Sequence, residues 1–207
     1  MGEIHIDLFT TVDLVAQAPG GPEEDDEGGF PWGGWQAPLI DEVVGQWVGA
    51  GMETLDALLL GRKTYDIFAA YWPHQSDQIG TLFNRIPKYV ASRGAPALEW
   101  SGTTQLGTDL AAEVAQLRER HASTHVIGSL DFVQTLLRER LFDFLNLWVH
   151  PIILGTGKKV FESGAVPASL ALVEPAATSP NGVVQLRYRL TDRDVTTGDM
   201  AAVVQEG

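Results

Sequence analysis

The chain of 207 residues contains no cysteine. Disulfide bonds, thiolate metal sites and a cysteine nucleophile are therefore excluded. Cations are also scarce, with 14 lysines and arginines against 27 aspartates and glutamates and a net charge of −13. Because binding to nucleic acids and to anionic membrane surfaces depends on clustered lysine and arginine, we expect neither kind of partner.

Long apolar runs are absent as well. No stretch approaches the roughly 20 apolar residues that span a bilayer, and strand-like alternation begins at Glu3 without a basic segment before it. We therefore expect a soluble cytoplasmic protein. The length favours one large domain over 1–207, and the hydrophobic content of 44% is ordinary for a globular protein.

Predicted strands and helices alternate along most of the chain. Strand-like runs occupy 3–9, 57–60, 87–93, 125–127 and 144–149. Helical spacing occurs at 40–51, from about 64, at 110–120 and at 131–140. The run 184–190 alternates polar and apolar residues, which predicts a late antiparallel strand. This order predicts a single α/β domain whose mixed, mainly parallel central sheet is flanked by helices.

A long loop rich in glycine, proline and acidic residues covers 13–35. Five consecutive acidic residues lie within it at 23–27. A charge run of this kind is typical of a solvated surface tip, with cation binding as the alternative.

Three predicted strand ends share one pattern, an apolar run followed by small, hydroxyl or cationic residues. They are 60–64, 90–93 and 127–129. Parallel strands end at the same edge of a sheet, where α/β proteins bind ligands. Glycine lets the backbone approach closely, and arginine, hydroxyls and a helix N-terminus all suit a phosphate. The pattern predicts a site for an extended anionic ligand; the alternative is that each end is a turn with a surface cation.

Other familiar motifs are each excluded because one required residue is missing. Leu58 stands where a Walker loop needs glycine, and Val160 stands where the dinucleotide fingerprint needs its third glycine. His121 and His125 are four apart, but Ala122 replaces the glutamate of a zinc protease, so we expect no metal. Ser129 follows a strand, yet the sequence supports no histidine and aspartate beside it.

The three strand ends, 60–65, 88–93 and 126–129, resemble the dihydrofolate reductase superfamily. The segment 142–161, with its Leu-Gly-Thr-Gly-Lys-Lys core, is similar to the reductase (C-terminal) domain of bacterial riboflavin-biosynthesis proteins. It is especially similar to stand-alone proteins built on that domain. The resemblance extends over about 3–190 and implies a dihydrofolate reductase-like fold, with NADPH as hydride donor and a small-molecule substrate such as a pterin or the riboflavin-precursor pyrimidine.

The resemblance also implies roles for individual residues. Those expected to hold the cofactor's phosphates at a helix start are Gly61, Arg62, Lys63 and Thr64. Those expected to meet the adenosine 2′-phosphate, which distinguishes NADPH from NADH, are Ser92 and Arg93. Those expected to line the pyrophosphate and the nicotinamide are Gly128, Ser129 and Leu130.

The substrate side is less defined by the resemblance. Asp41 lies near the start of the helix that carries the carboxylate of dihydrofolate reductases, which implies a catalytic acid; the alternative is a helix cap. Trp35 could wall a flat ligand or pack in the core, and Leu154 and Gly155 are expected beside the substrate. A homodimer is expected by resemblance alone.

The first loop departs from the family. Members often carry Leu-Asp-Gly where this chain has Val12, Asp13 and Leu14. In the superfamily this loop closes over the nicotinamide, so the missing glycine raises an alternative. The protein could bind NADP(H) or another ligand without catalysing a reaction.

Overall fold

A computed structural model describes residues 1–162 and 165–200. Its strands are β1 (Glu3–Thr11), β2 (Ala57–Gly61), β3 (Lys88–Ala91), β4 (Thr103–Gln105), β5 (Ser123–Val126), β6 (Phe144–His150), β7 (Leu170–Leu172), β8 (Ala177–Thr178) and β9 (Val184–Leu190). Its α-helices are α1 (Glu42–Met52), α2 (Arg62–Tyr71), α3 (Gln78–Arg85), α4 (Leu110–Arg120) and α5 (Leu130–Arg138). Short 3₁₀ turns lie at Glu27–Gly29, Ala37–Leu39 and Trp72–His74.

All the strands belong to one mixed sheet. Its order is β4-β3-β2-β5-β1-β6-β9-β7, and β8 pairs with β9. The pairs from β4 across to β6 are parallel, whereas β9 pairs antiparallel with β6, β7 and β8. The predicted mainly parallel sheet with late antiparallel strands is confirmed. No helix in the two described ranges is long and apolar enough to cross a membrane.

Strand β2 lies between two helical layers, which explains its continuous apolar sequence. Leu58 and Leu60 pack with α2 and α3, and Leu59 packs with α4 and α5 on the opposite face. All its residues from Ala57 to Gly61 are buried. Helices therefore cover both faces of the strand. At the carboxyl edge of the sheet the strand ends, and α2 begins with the next residue.

Strand β1 has one apolar face and one polar face. Ile4, Ile6 and Leu8 pack in the core against α4 and α5. His5 and Asp7 point to the other face, which lies under α1. This helix is only loosely packed, because Val44 is its single buried residue and the glycines at 45, 49 and 51 weaken it. A polar surface therefore lies beneath a weakly docked helix.

Four short elements were not predicted, namely α3, β4, β7 and β8. The three strands contain only two or three residues each, so alternation leaves no pattern to detect. Helix α3 has eight residues and is capped by Asp77, whose side chain accepts a hydrogen bond from the Gly80 amide at 2.9 Å. Elements this short depend on the neighbours that they pair or pack with.

We predict opposite effects for two glycine-to-alanine substitutions. Gly45→Ala should raise the free energy of unfolding by about 0.5–1 kcal/mol, because a β-carbon there meets nothing within 4 Å and helix propensity improves. Gly61→Ala should lower it by about 1–3 kcal/mol, because its β-carbon would lie 2.8 Å from Phe132 Cβ and from the Ser129 nitrogen. Urea denaturation of both variants measures this, and equal effects would contradict the packing described.

Candidate functional site

The ends of β2 and β5 are joined by their backbones. The Gly61 amide donates a hydrogen bond to the Gly128 carbonyl at 2.9 Å. A β-carbon on Gly61 would collide with Ser129, and one on Gly128 would lie 2.5 Å from Thr64 Oγ1. Two of the three predicted strand ends are thus in direct contact, and only glycine fits where they meet.

Two helices begin at this junction. Gly61 is the N-cap of α2 and Ser129 is the N-cap of α5, and neither helix start receives a side-chain cap hydrogen bond. The first amides of both helices are therefore free to bind an external acceptor. The Thr64 and Ser129 hydroxyls also make no hydrogen bond to any described residue. Free amides, hydroxyls and two positive helix ends together favour an anion.

The third strand end lies along the same edge. Ser92 and Arg93 line an outer cavity of about 730 Å³, together with Gly61, Arg62 and Ser129. Arg62 Nε binds the Asp66 carboxylate at 2.7 and 2.8 Å, so its charge is partly compensated. Arg93 is exposed and forms no ion pair with any residue of the described ranges. Among the residues predicted to bind phosphate, Arg93 therefore has the positive charge that is most available to a ligand.

An inner cavity of about 250 Å³ adjoins the outer one. Thr64, Gly128, Ser129 and Leu130 form one wall, and the chain at 16–20 forms another. Lys63, Ser129 and Asp131 line both cavities. Together they form a continuous groove along the carboxyl edge, in which all the residues predicted to bind the cofactor meet.

The acidic run at 23–27 is only in part the predicted solvated tip, because Glu23, Asp26 and Glu27 are exposed but Asp25 is held in ion pairs. Lys63 Nζ binds Asp25 at 2.6 Å and Glu27 at 2.7 Å. Lys158 Nζ binds the same two carboxylates, and the Asp25 side chain is only 12% exposed. Two lysines far apart in sequence thus hold the loop against the groove.

These ion pairs change the charge of the groove. Burial raises the pKa of Asp25, but hydrogen bonds from Lys63 and Lys158 outweigh it and hold this pKa below its usual value. Burial lowers the pKa of Lys63, but its bonds to Asp25 and Glu27 raise it overall. Lys63, predicted to bind the cofactor, is therefore neutralised by the loop. The wall that it forms carries little net positive charge.

The first loop contains a left-handed residue that is not glycine. Leu14 has a φ of 64°, the region that glycine usually occupies. Asp13 fixes the loop by accepting hydrogen bonds from Thr11 Oγ1 at 2.6 Å and from the Gly155 amide at 2.8 Å. The amide of Leu154 bonds to the same carboxylate at 3.2 Å. Leu154 and Gly155 thus anchor the first loop, and neither lines the groove.

Neither Asp41 nor Trp35 lines the groove. Asp41 caps α1 by accepting the Val44 amide at 2.9 Å, and its second oxygen accepts the Asn181 amide at 3.0 Å. Trp35 is buried beside Phe30, and its Nε1 donates to the Gln17 carbonyl at 2.8 Å. Nothing in this placement supports the catalytic role predicted for Asp41 or a ligand contact for Trp35.

A buried polar cluster that sequence analysis missed lies on the polar face of the sheet. His125 Nδ1 donates to Asp7 Oδ2 at 2.6 Å, and Asn146 Nδ2 donates to Asp7 Oδ1 at 2.7 Å. Burial raises the pKa of Asp7, but attraction to His125 and these two hydrogen bonds hold it below its usual value. Asp7 is thus a largely buried carboxylate that stays ionised. The sequence feature that indicates it is a polar residue in the middle of a strand that lies inside the sheet.

His5 completes this polar face. Its ring stacks on His125 and on Phe144, with centroid distances of 4.6 Å in each case. Burial, and then the neighbouring His125, lower the pKa of His5 to about 4. His5 is therefore neutral at pH 7. No group of three or more His, Asp or Glu suited to a metal ion occurs in the described part of the chain.

Comparison with known proteins agrees with this geometry. Residues 3–184 match the family model described as the RibD C-terminal domain. The protein YyaP of Bacillus subtilis strain 168 is 27% identical over 143 residues, which cover 66% of this chain and 75% of that protein. The resemblance to riboflavin-biosynthesis reductase domains is confirmed.

Solved structures share the fold at low identity. A pyrimidine reductase-like protein of Corynebacterium diphtheriae is 16% identical and covers 93% of each chain, with a TM-score of 0.64. The dihydrofolate reductase of Enterococcus faecalis, solved as a complex with NADP(H), is 12% identical over 92% of this chain and 98% of that one, with a TM-score of 0.58. These structures confirm the dihydrofolate reductase-like fold.

The left-handed conformation of Leu14 gives a matched pair of variants. Leu14→Ala and Leu14→Gly remove the same packing, but only alanine keeps a β-carbon at a φ of 64°. We predict that the glycine variant is the more stable of the two by about 1 kcal/mol, the reverse of the usual order. Thermal and urea denaturation measure the difference. A more stable alanine variant would mean that the loop has another conformation.

Proposed function

Because the chain belongs to the family of the RibD C-terminal domain, we propose that it is an NADPH-dependent reductase. It transfers a hydride to a small heterocyclic substrate, either a pterin or a pyrimidine like the riboflavin precursor. The observation that carries the proposal is the junction of β2 and β5. There, two glycines let the strand ends pack directly against the residues that start α2 and α5, and both helix starts present free amides.

The junction fits the pyrophosphate of a dinucleotide. Because side chains at positions 61 and 128 would collide with Ser129, Phe132 and Thr64, the two glycines allow the helix starts to lie close together. The amides that start α2 and α5, with the Thr64 and Ser129 hydroxyls, supply uncharged donors to its oxygens. The complex of the Enterococcus faecalis enzyme with NADP(H) supports the same cofactor for this fold.

The outer cavity fits the adenosine end of the cofactor. Arg93 and the Ser92 hydroxyl suit a dianionic 2′-phosphate, because arginine forms paired, charge-assisted hydrogen bonds. Arg62, at the start of α2, supplies a second positive charge, which its ion pair with Asp66 partly compensates. We assign Lys63 another role, which is to hold the acidic loop over the groove through Asp25.

The inner cavity fits the nicotinamide end. When bound, NADPH supplies the hydride, and the protein supplies orientation and exclusion of water. Leu8, Ile127 and Leu130 give this cavity apolar walls, and the segment 16–20 covers it. The alternative of a non-catalytic binding protein was based on the missing glycine. Leu14 adopts a left-handed backbone conformation of the kind that glycine favours, so the missing glycine alone does not favour the alternative.

We predict that Arg93→Ala selectively weakens NADPH binding. Loss of a charge-assisted contact to the 2′-phosphate should weaken NADPH by about tenfold or more and leave NADH within about twofold. Titration followed by nicotinamide fluorescence measures both affinities. Arg120→Ala is the control, since Arg120 lies on α4 and bonds Gln116.

Two results would contradict the proposal. One is the absence of NADPH binding at millimolar concentration by the wild-type protein. The other is an equal loss of NADPH and NADH affinity in Arg93→Ala, which would mean that this arginine does not meet the 2′-phosphate. Stopped-flow oxidation of bound NADPH by a panel of pterins, flavins and pyrimidines then identifies the substrate.

A further inference from the structure

The inner cavity of the groove contains more carboxylates than cations. Among the described residues, its cations are Lys63 and Lys158, and no arginine lines it. The carboxylates that line it are Asp7, Glu24, Asp25 and Asp131. Burial raises the pKa of Glu24, but even without that charge the carboxylates outnumber the lysines. The inner cavity therefore differs from the outer one, which contains two arginines.

Each lysine of the inner cavity is bound by the same two carboxylates. Asp25 lies 2.6 Å from Lys63 Nζ through one oxygen and 3.0 Å from Lys158 Nζ through the other. Glu27 Oε2 lies 2.7 and 2.5 Å from the same two nitrogens. An ammonium group has three N–H donors, so each lysine retains one. A phosphate that accepted it would lie beside two carboxylates.

Uncharged contacts hold this arrangement in place. The buried side chain of Gln17 donates from Nε2 to the carbonyl of Asp25 at 3.1 Å and to that of Glu27 at 3.0 Å. Its Oε1 accepts the amide of Lys158 at 3.0 Å. One side-chain amide thus connects the backbones of both carboxylate residues with that of one lysine. Neutral replacements of the two carboxylates should therefore leave the segment where it is.

A phosphate would not readily displace the two carboxylates. If it bound both lysines, Asp25, whose side chain is only 12% exposed, would lose its cations. A largely buried charge that loses its partner is strongly destabilising. Asp7 and Asp131 line the same cavity and would also repel a phosphate. The geometry therefore disfavours an anion in the inner cavity.

We infer that Asp25 and Glu27 exclude phosphates from the inner cavity, and that the substrate is a heterocycle without a phosphate group. The inference rests on the proposed reductase function, because that proposal brings the hydride acceptor to the nicotinamide in this cavity. Phosphates of the cofactor then bind only at the junction of β2 and β5 and in the outer cavity. Of the proposed pterins and pyrimidines, the uncharged or cationic forms fit.

A titration with inorganic phosphate tests the exclusion without any substrate. The ¹⁵N-labelled full chain is titrated at constant ionic strength, and the amides of Ala16, Gln17 and Lys158 report on the inner cavity. In the wild type these amides should show no saturable shift. In Asp25→Asn/Glu27→Gln, in which both lysines are free, phosphate should bind there at least about tenfold more tightly.

The matched control is Glu23→Gln/Asp26→Asn. It removes two negative charges from the same acidic run, but both residues are exposed and neither forms an ion pair in the part of the chain that the structure describes. This variant should bind phosphate as the wild type does. An equal gain in both double variants would mean that net charge, and not the ion pairs, excludes phosphate, and would overturn the inference.

Two further results would overturn it. One is a saturable phosphate shift at the three amides of the wild type. The other is the absence of any gain in Asp25→Asn/Glu27→Gln. Circular dichroism establishes that each variant is folded. If that double variant does not fold, Glu27→Gln alone decides, because Glu27 is exposed and binds both lysines.

Pairs of compounds that differ by one phosphate separate this inference from the reductase proposal. Stopped-flow oxidation of NADPH compares riboflavin with riboflavin 5′-phosphate, and 7,8-dihydroneopterin with its phosphate. In a pair that reacts, the member without phosphate should be at least about tenfold faster. A phosphorylated member as fast as its partner overturns this inference and leaves the reductase proposal intact. Absence of NADPH binding overturns the reductase proposal, whereas the phosphate titration decides the exclusion by itself.

Discussion

The hydrogen bond from the Gly61 amide to the Gly128 carbonyl, 2.9 Å long, is the constraint on which the site depends. Strands β2 and β5 pair through only two residues each, and this bond continues their contact to the edge of the sheet. It brings the starts of α2 and α5 together without an intervening side chain. The free amides of both helices can then bind the same ligand. Either strand end alone would present the amides of one helix only.

The charges of the groove follow from the acidity of the protein. Asp25 and Glu27 neutralise Lys63 and Lys158, so these two lysines add no net positive charge to the inner cavity. The phosphates of a dinucleotide would then be met chiefly by neutral amides and hydroxyls. At the outer end, Arg93 forms no ion pair with any residue that the structure describes, so the proposed preference for a 2′-phosphate would depend chiefly on this residue.

The sequence predicted the groove because its signals are local. The apolar run 57–60 predicts a strand that is buried on both faces, and the glycine after it predicts where that strand ends. The polar cluster was not predictable in this way, because Asp7 and His125 occupy the polar positions of their strands, a pattern typical of solvent exposure. They instead bind each other, and Asp7 also binds Asn146, which lies 139 positions away in the sequence. Asp25 was missed for the same reason, since Lys63 lies 38 positions away.

The most direct test of the central claim is a nuclear magnetic resonance titration of the ¹⁵N-labelled protein with NADPH. The junction of β2 and β5 should respond first, so the account predicts that the largest amide shifts occur at residues 61–64 and 128–130. Smaller shifts should appear at 92 and 93 with NADPH and be absent with NADH. Unchanged amides at the junction, with the largest shifts elsewhere in the chain, would contradict the account.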